Sequence, residues 1–369
     1  MNYFYYQTKT KFINTGDALI NKALLDTLRE YGQLQCNCSK EIPDYFIKEL
    51  GIKDDEKIET KSELGFVLDI LKKSIKSKSK GDKVFIVSGL GHNFGGSLKK
   101  CVRNLIAGML FPIYRLFGVK IVRIGMSIGP VTKLLAITEK IRSIFINYYY
   151  VRDTQSLELC KNIGIKKAKI CPDMSWLYLK NEIRNENKNN TVIVNLRSSI
   201  LHENSEEYVS CRISTCREIL QNLNDSVNGK LHIIFTYQVL EDEEYTKKLY
   251  EIFKDEFECE FFDKQIRLED AEVFYSKATY NISNRMHSLL LGYKYGALPI
   301  ALIDTKKHVK IQQTLVDCGL PELAIDIYNG KKEEIVNIIE NKDILFDKLL
   351  TVEKNKQKEI IDELDKIVY

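Results

Sequence analysis

The residues best suited to chemistry lie at 282–288. There Ile282-Ser283-Asn284-Arg285-Met286-His287-Ser288 closes a β-rich run and opens onto a helical one, Leu289, Leu290, Leu291 and Tyr293. If Arg285 and His287 are both extended, the period of two points them to one face. A helix start just beyond supplies free N–H groups and a positive dipole end, and both favour a phosphate. An arginine fork grips carboxylate or phosphate through paired hydrogen bonds. A histidine beside it exchanges a proton near neutral pH. The combination describes a site for an anionic, phosphate-bearing substrate. The plainer reading of the same residues is a solvent-facing arginine and a satisfied histidine at a strand end.

Other polar residues fall at the ends of apolar runs. Arg197 follows the run 191–196. The loop Gly89-Leu90-Gly91-His92-Asn93-Phe94-Gly95-Gly96 follows the run 84–88 and lets its backbone approach a ligand, with His92 and Asn93 exposed to it. It fits neither G-x-G-x-x-G nor a P-loop, so a tight loop without function would look the same. Asn14-Thr15-Gly16-Asp17 precedes an amphipathic helical pattern, where Asp17 also suits a helix N-cap. Arg152-Asp153 with Ser156, and Pro172-Asp173, read as caps and turns.

The elements that would position these residues alternate. Extended apolar runs at 1–7, 84–88, 120–125, 148–151 and 168–171 are interleaved with helical patterns. The almost wholly polar stretch 180–190 follows, and then a second series runs at 191–196, 231–236, 258–262, 279–283 and 299–303. Alternation of this kind predicts mainly parallel sheets covered by helices. The expected fold is α/β, with two Rossmann-like lobes and a central cleft at the strand C-terminal ends, where such sheets bind ligands. The expected boundaries are a lobe over 1–180, a linker over 181–190, a lobe over 191–330 and C-terminal helices over 331–369. A length of 369 residues exceeds what one core usually serves, in keeping with two domains.

Composition narrows the class. The chain is 44% hydrophobic and 29% charged, and 55 basic against 51 acidic side chains leave a net charge of only +4. That balance argues against a dedicated nucleic-acid binder. The longest uncharged apolar stretch, 104–114, falls short of the roughly 20 residues a membrane span needs and reads as a buried helix. Residues 72–83 carry six lysines and one aspartate. They read as a solvated loop, with contact to an anionic membrane surface as the functional alternative. The nine cysteines include no C-x-x-C pair, so reduced, mostly buried thiols and no metal site are expected. With no apolar signal-peptide core at 1–12, a cytoplasmic location is expected, peripheral at the inner face of the membrane in the functional alternative.

Taken in order, N-x-G-D (14–17), G-x-G (89–91), G-x-S-I-G-P (125–130), R-D-x-x-S (152–156), P-D (172–173), N-L-R (195–197) and R-x-H-S (285–288) resemble the polysaccharide pyruvyl transferase family over about residues 1–328. The resemblance implies a fold like the two-lobed GT-B glycosyltransferases. It implies phosphoenolpyruvate as donor co-substrate, with no further cofactor. The acceptor would be a hexose of a surface-polysaccharide precursor, capsule or exopolysaccharide, carried on a lipid. On that footing Arg285 and His287 are the catalytic candidates, and Arg197, Arg285, Ser288, Lys306 and Lys307 the phosphoenolpyruvate ligands. Asp17, His92 and Asn93 fall on the acceptor side. The loop reads GLGHNFGG where many relatives have a longer glycine run. A GT-B glycosyltransferase using an activated sugar and a non-catalytic glycan-binding member of a polysaccharide assembly complex are the competing readings.

Overall fold

The computed structural model describes residues 1–8, 10–38, 41–58, 63–178, 190–197, 205–227 and 230–369. All but Asn190 of the expected linker lies outside them. The chain divides into two compact units. The first comprises Met1–Phe12, Ile20–Tyr178 and Lys356–Tyr369; the second comprises Ile13–Leu19 and Leu179–Asn355. Two features of this division are not visible in the order of the elements. The N-x-G-D segment counts with the second unit, and the last C-terminal helix is shared between the two.

The first unit begins with β1 (Asn2–Gln7), α1 (Thr15–Tyr31), β2 (Gln33–Asn37), α2 (Asp44–Glu49), β3 (Lys57–Ile58) and α3 (Glu63–Lys78). It continues through β4 (Lys83–Ser88), β5 (Gly91–Gly95), α4 (Leu98–Leu116), β6 (Lys120–Val131), α5 (Lys133–Ser143), β7 (Tyr148–Val151), α6 (Thr154–Asn162) and β8 (Lys169–Ile170). Its sheet has the order β3-β2-β1-β4-β6-β7-β8, with β5 paired to β6. Every pairing is parallel. The strands are short and rich in β-branched and aromatic residues, as in Lys83–Ser88, where Val84, Phe85, Ile86 and Val87 are all buried. A side chain buried on both faces of a central parallel strand explains why these runs show no polar alternation.

The second unit contains β9 (Thr191–Asn195), α7 (Glu206–Ser226), β10 (His232–Tyr237), α8 (Glu243–Phe253), β11 (Glu258–Gln265), α9 (Leu268–Tyr275) and β12 (Ala278–Ser283). Then come α10 (Met286–Lys294), β13 (Leu298–Ile303), α11 (Val309–Asp317), β14 (Ala324–Asp326), α12 (Lys332–Glu340) and α13 (Lys342–Val368). The order β11-β10-β9-β12-β13-β14 is again parallel throughout. In both sheets the chain works outward from one strand and then reverses to the other side. Each is thus a Rossmann-like sheet with a switch point, between β1 and β4 in the first and between β9 and β12 in the second.

Three local expectations change. The apolar run 104–114 is helical, as part of α4, but it is not buried: Leu105, Ile106, Met109 and Ile113 are exposed. A run without charges cannot reveal which face it turns inward, and here the inward face is Cys101, Asn104, Gly108 and Tyr114. The lysine-rich run is mostly the last turns of α3 rather than a loop. The glycine loop contains a short strand, β5, paired with β6.

One buried ion network ties β6 to α5. The Glu139 carboxylate, 2% exposed, pairs with Arg123 and Arg142 and accepts from Tyr149 Oη at 2.9 Å and Asn104 Nδ2 at 3.1 Å. Breaking a buried pair on one side leaves a charge without compensation. Glu139→Gln is therefore expected to cost about 3–5 kcal/mol in urea unfolding. A loss below about 1 kcal/mol would show that water reaches Arg123.

Candidate active site

The switch point of the second sheet lies between the C-terminal ends of β9 and β12, the place where open α/β sheets hold ligands. Those two ends carry Asn195-Leu196-Arg197 and Ser283-Asn284-Arg285, so the strand order brings together two arginines 88 positions apart in the chain. Burial first, and then the Arg285 charge, hold Arg197 below the usual arginine range.

The backbone at Arg197 is fixed on both sides. Its N–H donates to Asn284 Oδ1 at 2.7 Å, and its carbonyl accepts from Arg212 Nη1 at 2.8 Å. Arg212, fully buried on α7, lies between the rings of Tyr208 and Tyr245, 4.9 and 4.3 Å from their centroids. The cation is thus held by aromatic faces and a carbonyl. Arg285 caps the start of α10 with an extended backbone, and its N–H donates to Ser283 Oγ at 3.0 Å. Its guanidinium pairs with Asp242, 2% exposed.

Several buried polar atoms here have no hydrogen-bond partner among the described residues. They include Arg285 Nε and both amide atoms of Asn195. Buried polar atoms are nearly always satisfied, so a set left open at a switch point is the signature of a polar ligand or water. Nearby, His308 Nε2 is open as well. Burial, with the Arg197 and Arg212 charges adding to it, pushes the His308 imidazole down to about 3, against a hydrogen bond with Asp304 that raises it.

His287 occupies the first turn of α10, not an extended strand end, so the period-two argument for aligning it with Arg285 does not hold. What positions it is Gly16. A Cβ on Gly16 would stand 2.6 Å from His287 Nδ1, so only glycine lets the backbone at residue 16 approach so closely. The segment around Gly16 is anchored inside the second unit: Thr15 Oγ1 donates to Ile266 O at 2.6 Å, and Gln265 Nε2 donates to Ile13 O at 2.9 Å. Asp17, one residue on, is partly buried and accepts from Asn14 Nδ2 at 3.2 Å. The N-x-G-D motif and the R-x-H-S motif therefore meet within one unit.

Among the remaining expected ligands, Ser288 is fully buried, 3.5 Å from Tyr275 Oη. Lys306 and Lys307 are exposed in the turn after β13; their N–H groups donate to Asp304 Oδ1, and the Lys307 ammonium stands 3.7 Å from Asp304 Oδ2. His92 and Asn93 belong to the first unit. His92 Nε2 lies 2.5 Å from Gly129 O, and Asn93 Nδ2 donates to the buried Glu139 at 3.4 Å. The other first-unit motifs converge on each other: Arg152 donates to Ser127 Oγ and Asp173, and Asp153 caps α6 at Ser156 N. That is the cap-and-turn reading of those residues. Among the described residues no group of three or more His, Cys, Asp or Glu could hold a metal ion.

Three contributors carried no assigned role in the sequence. Asn284 stood directly before the R-x-H-S segment, where its neighbours drew attention. Asp242 looked like one acid among Glu241, Glu243 and Glu244 at a helix start. Arg212 sits in mid-helix with no local signal at all.

Paired parallel sheets with this strand order place the chain among proteins of GT-B-like fold. Solved structures similar to it include a Staphylococcus aureus MnaA–UDP complex (10% identity, TM-score 0.53, 94% of this chain and 90% of that one). Another is a UDP-GlcNAc 2-epimerase from Neisseria meningitidis bound to UDP-GlcNAc (12%, 0.51, 98% and 100%). A third is the UDP-GlcNAc 2-epimerase of Methanocaldococcus jannaschii (14%, 0.52, 92% and 91%). At such identities the likeness is one of fold. No curated protein matches in sequence. The family model for polysaccharide pyruvyl transferase matches residues 14–303, and the chain belongs to that family.

Two outcomes test this geometry. Gly16→Ala should displace His287 and reduce turnover on the order of 100-fold while leaving the melting temperature nearly unchanged; full activity would show that His287 need not stay in place. His308 is neutral when folded but protonated when unfolded below its ordinary value of 6.5. Its contribution is complete above pH 6.5 and falls by about 1.4 kcal/mol per unit as pH drops towards 3. Denaturant titrations across that range should show the slope in the wild type and lose it in His308→Asn.

Proposed function

We propose that this family member transfers the pyruvyl group of phosphoenolpyruvate to a hexose of a surface-polysaccharide precursor, forming a pyruvate ketal and releasing phosphate. The observation that carries the reading is the pair of half-buried arginines at the neighbouring strand ends of the second switch point, with polar atoms left open around them. Phosphoenolpyruvate presents a phosphate and a carboxylate, and two arginines at neighbouring strand ends suit two anionic groups.

In this reading Arg197 and Arg285 hold the two anionic groups, and the first turn of α10 adds its N–H groups to the phosphate. A proton delivered to the methylene carbon makes the methyl group and leaves a cationic centre at the carbon bearing the phosphate. One acceptor hydroxyl adds there. The C–O bond to phosphate then breaks, and a second hydroxyl closes the ketal. Of the two hydroxyl protons, one balances the proton taken up by carbon and the other leaves with phosphate. His287 serves as proton donor or phosphate ligand, and Asp17 assists an acceptor hydroxyl. Lys306 and Lys307 add positive charge beside the phosphate, and the Ser288 backbone N–H belongs to the same helix start. His92 and Asn93 serve the acceptor. No further cofactor enters. The main contribution of the protein is a fixed positive field where negative charge leaves. The acceptor is lipid-linked, and the reaction belongs to the cytoplasmic side of the membrane.

Phosphate release from phosphoenolpyruvate, measured with a panel of galactose-, mannose- and glucosamine-containing lipid-linked acceptors, tests the proposal. Mass spectrometry of each acceptor should show a pyruvyl-sized gain. Arg285→Ala and His287→Ala should each lower the rate by roughly 100-fold or more. Intact phosphoenolpyruvate throughout, with a sugar nucleotide consumed instead, would replace this reading by glycosyl transfer.

A further inference from the structure

Helix α4 is folded with its apolar stripe outward. Leu98, Val102, Leu105, Met109, Ile113 and Leu116 follow the spacing of one helical face, and all are exposed, Leu98 at 71%, Met109 at 65% and Leu116 at 80%. At 1.5 Å per residue the stripe runs about 27 Å. The face turned inward carries Asn104 and Gly108 instead. Helix α5 repeats the arrangement with Leu134, Ile137, Ile141 and Ile144 exposed. The two helices are held side by side by hydrogen bonds from Asn104 to Glu139 and from Arg142 to Asn104. A patch of this extent on an otherwise ordinary surface marks an interaction site.

Charge decides the occupant. Lys99 and Arg103 border the α4 stripe, Lys133 and Lys140 stand exposed on α5, and α4 contains no acidic residue. The one acid of α5, Glu139, is buried against Arg123 and Arg142. Helix α3, joined to the end of α4 by a Ser74–Phe117 hydrogen bond, adds exposed Leu68 and Ile75 beside Lys72 and Lys76. A second copy of the chain meeting this face symmetrically would set cation against cation. Apolar residues between lysines and arginines, with no exposed acid on these two helices, match a bilayer surface of anionic headgroups. No helix among the described residues is long and apolar enough to cross a membrane.

We propose that the outer face of α4 and α5 docks on a membrane surface bearing anionic lipid, with the apolar stripes entering the interface and the flanking cations on the headgroups. This inference is independent of the donor substrate and of the second unit.

Flotation of the full chain with vesicles of phosphatidylcholine and phosphatidylglycerol (7:3), and of phosphatidylcholine alone, tests it. The wild type should float with the anionic vesicles and release at high salt. Ile106→Glu/Met109→Glu and, separately, Lys99→Glu/Arg103→Glu should each lower the bound fraction about tenfold or more. All of these positions are exposed, and unchanged circular dichroism and melting temperature would confirm that both variants fold. Failure of the wild type to bind, or binding unaltered in either folded variant, overturns the proposal. So does a wild-type dimer in light scattering that the Ile106/Met109 variant dissociates while vesicles capture neither form.

Discussion

The second unit is organised around a repulsion. Two half-buried arginines are brought to neighbouring strand ends, where the Arg285 charge adds to burial in holding Arg197 below the usual arginine range. Nothing in a sheet requires two arginines there. The surroundings hold the pair in place: Asp242 pairs with Arg285, and Asn284 and Arg212 fix the backbone at Arg197. In the proposed reading an anionic donor completes the arrangement. The unsatisfied atoms of Asn195 and Arg285 point the same way.

The first unit provides the contrast. It has the same doubly wound order, and its strand-end motifs also carry arginine, aspartate and serine. There, however, the groups satisfy each other: Arg152 binds Ser127 and Asp173, and Asp153 is occupied by Ser127 and the start of α6. At these motifs the first unit closes its polar residues on one another, while the second switch point leaves Arg285 Nε and the Asn195 amide open. In the proposed reading, this difference favours the second unit as the seat of the anion.

Most of the architecture was legible because buried parallel strands advertise themselves as short β-branched runs, and 84–88, 191–196 and 299–303 are such runs. Helix orientation was less legible. The uncharged stretch 104–114 contains Leu105, Ile106, Met109 and Ile113, and hydropathy alone sends such residues inward; the structure turns them out. Arg197 and Arg285 were singled out by their places at strand ends, and His287 by the motif it shares with Arg285. The supports were not found. Arg212 acts across a helix on a distant carbonyl, and the meeting of Gly16 with His287 spans most of the chain. Contacts of that kind exist only once the fold has formed.

The central claim is that the second unit seats the anionic donor between Arg197 and Arg285. The most direct measurement is a calorimetric titration of the protein with phosphoenolpyruvate, repeated with Arg197→Lys. That substitution keeps the charge and removes the fork that grips two oxygens at once. Saturable one-to-one binding in the wild type, weakened at least about tenfold in the variant, is the predicted result. Equal affinity in both proteins, or no binding to a folded wild type, would contradict the account.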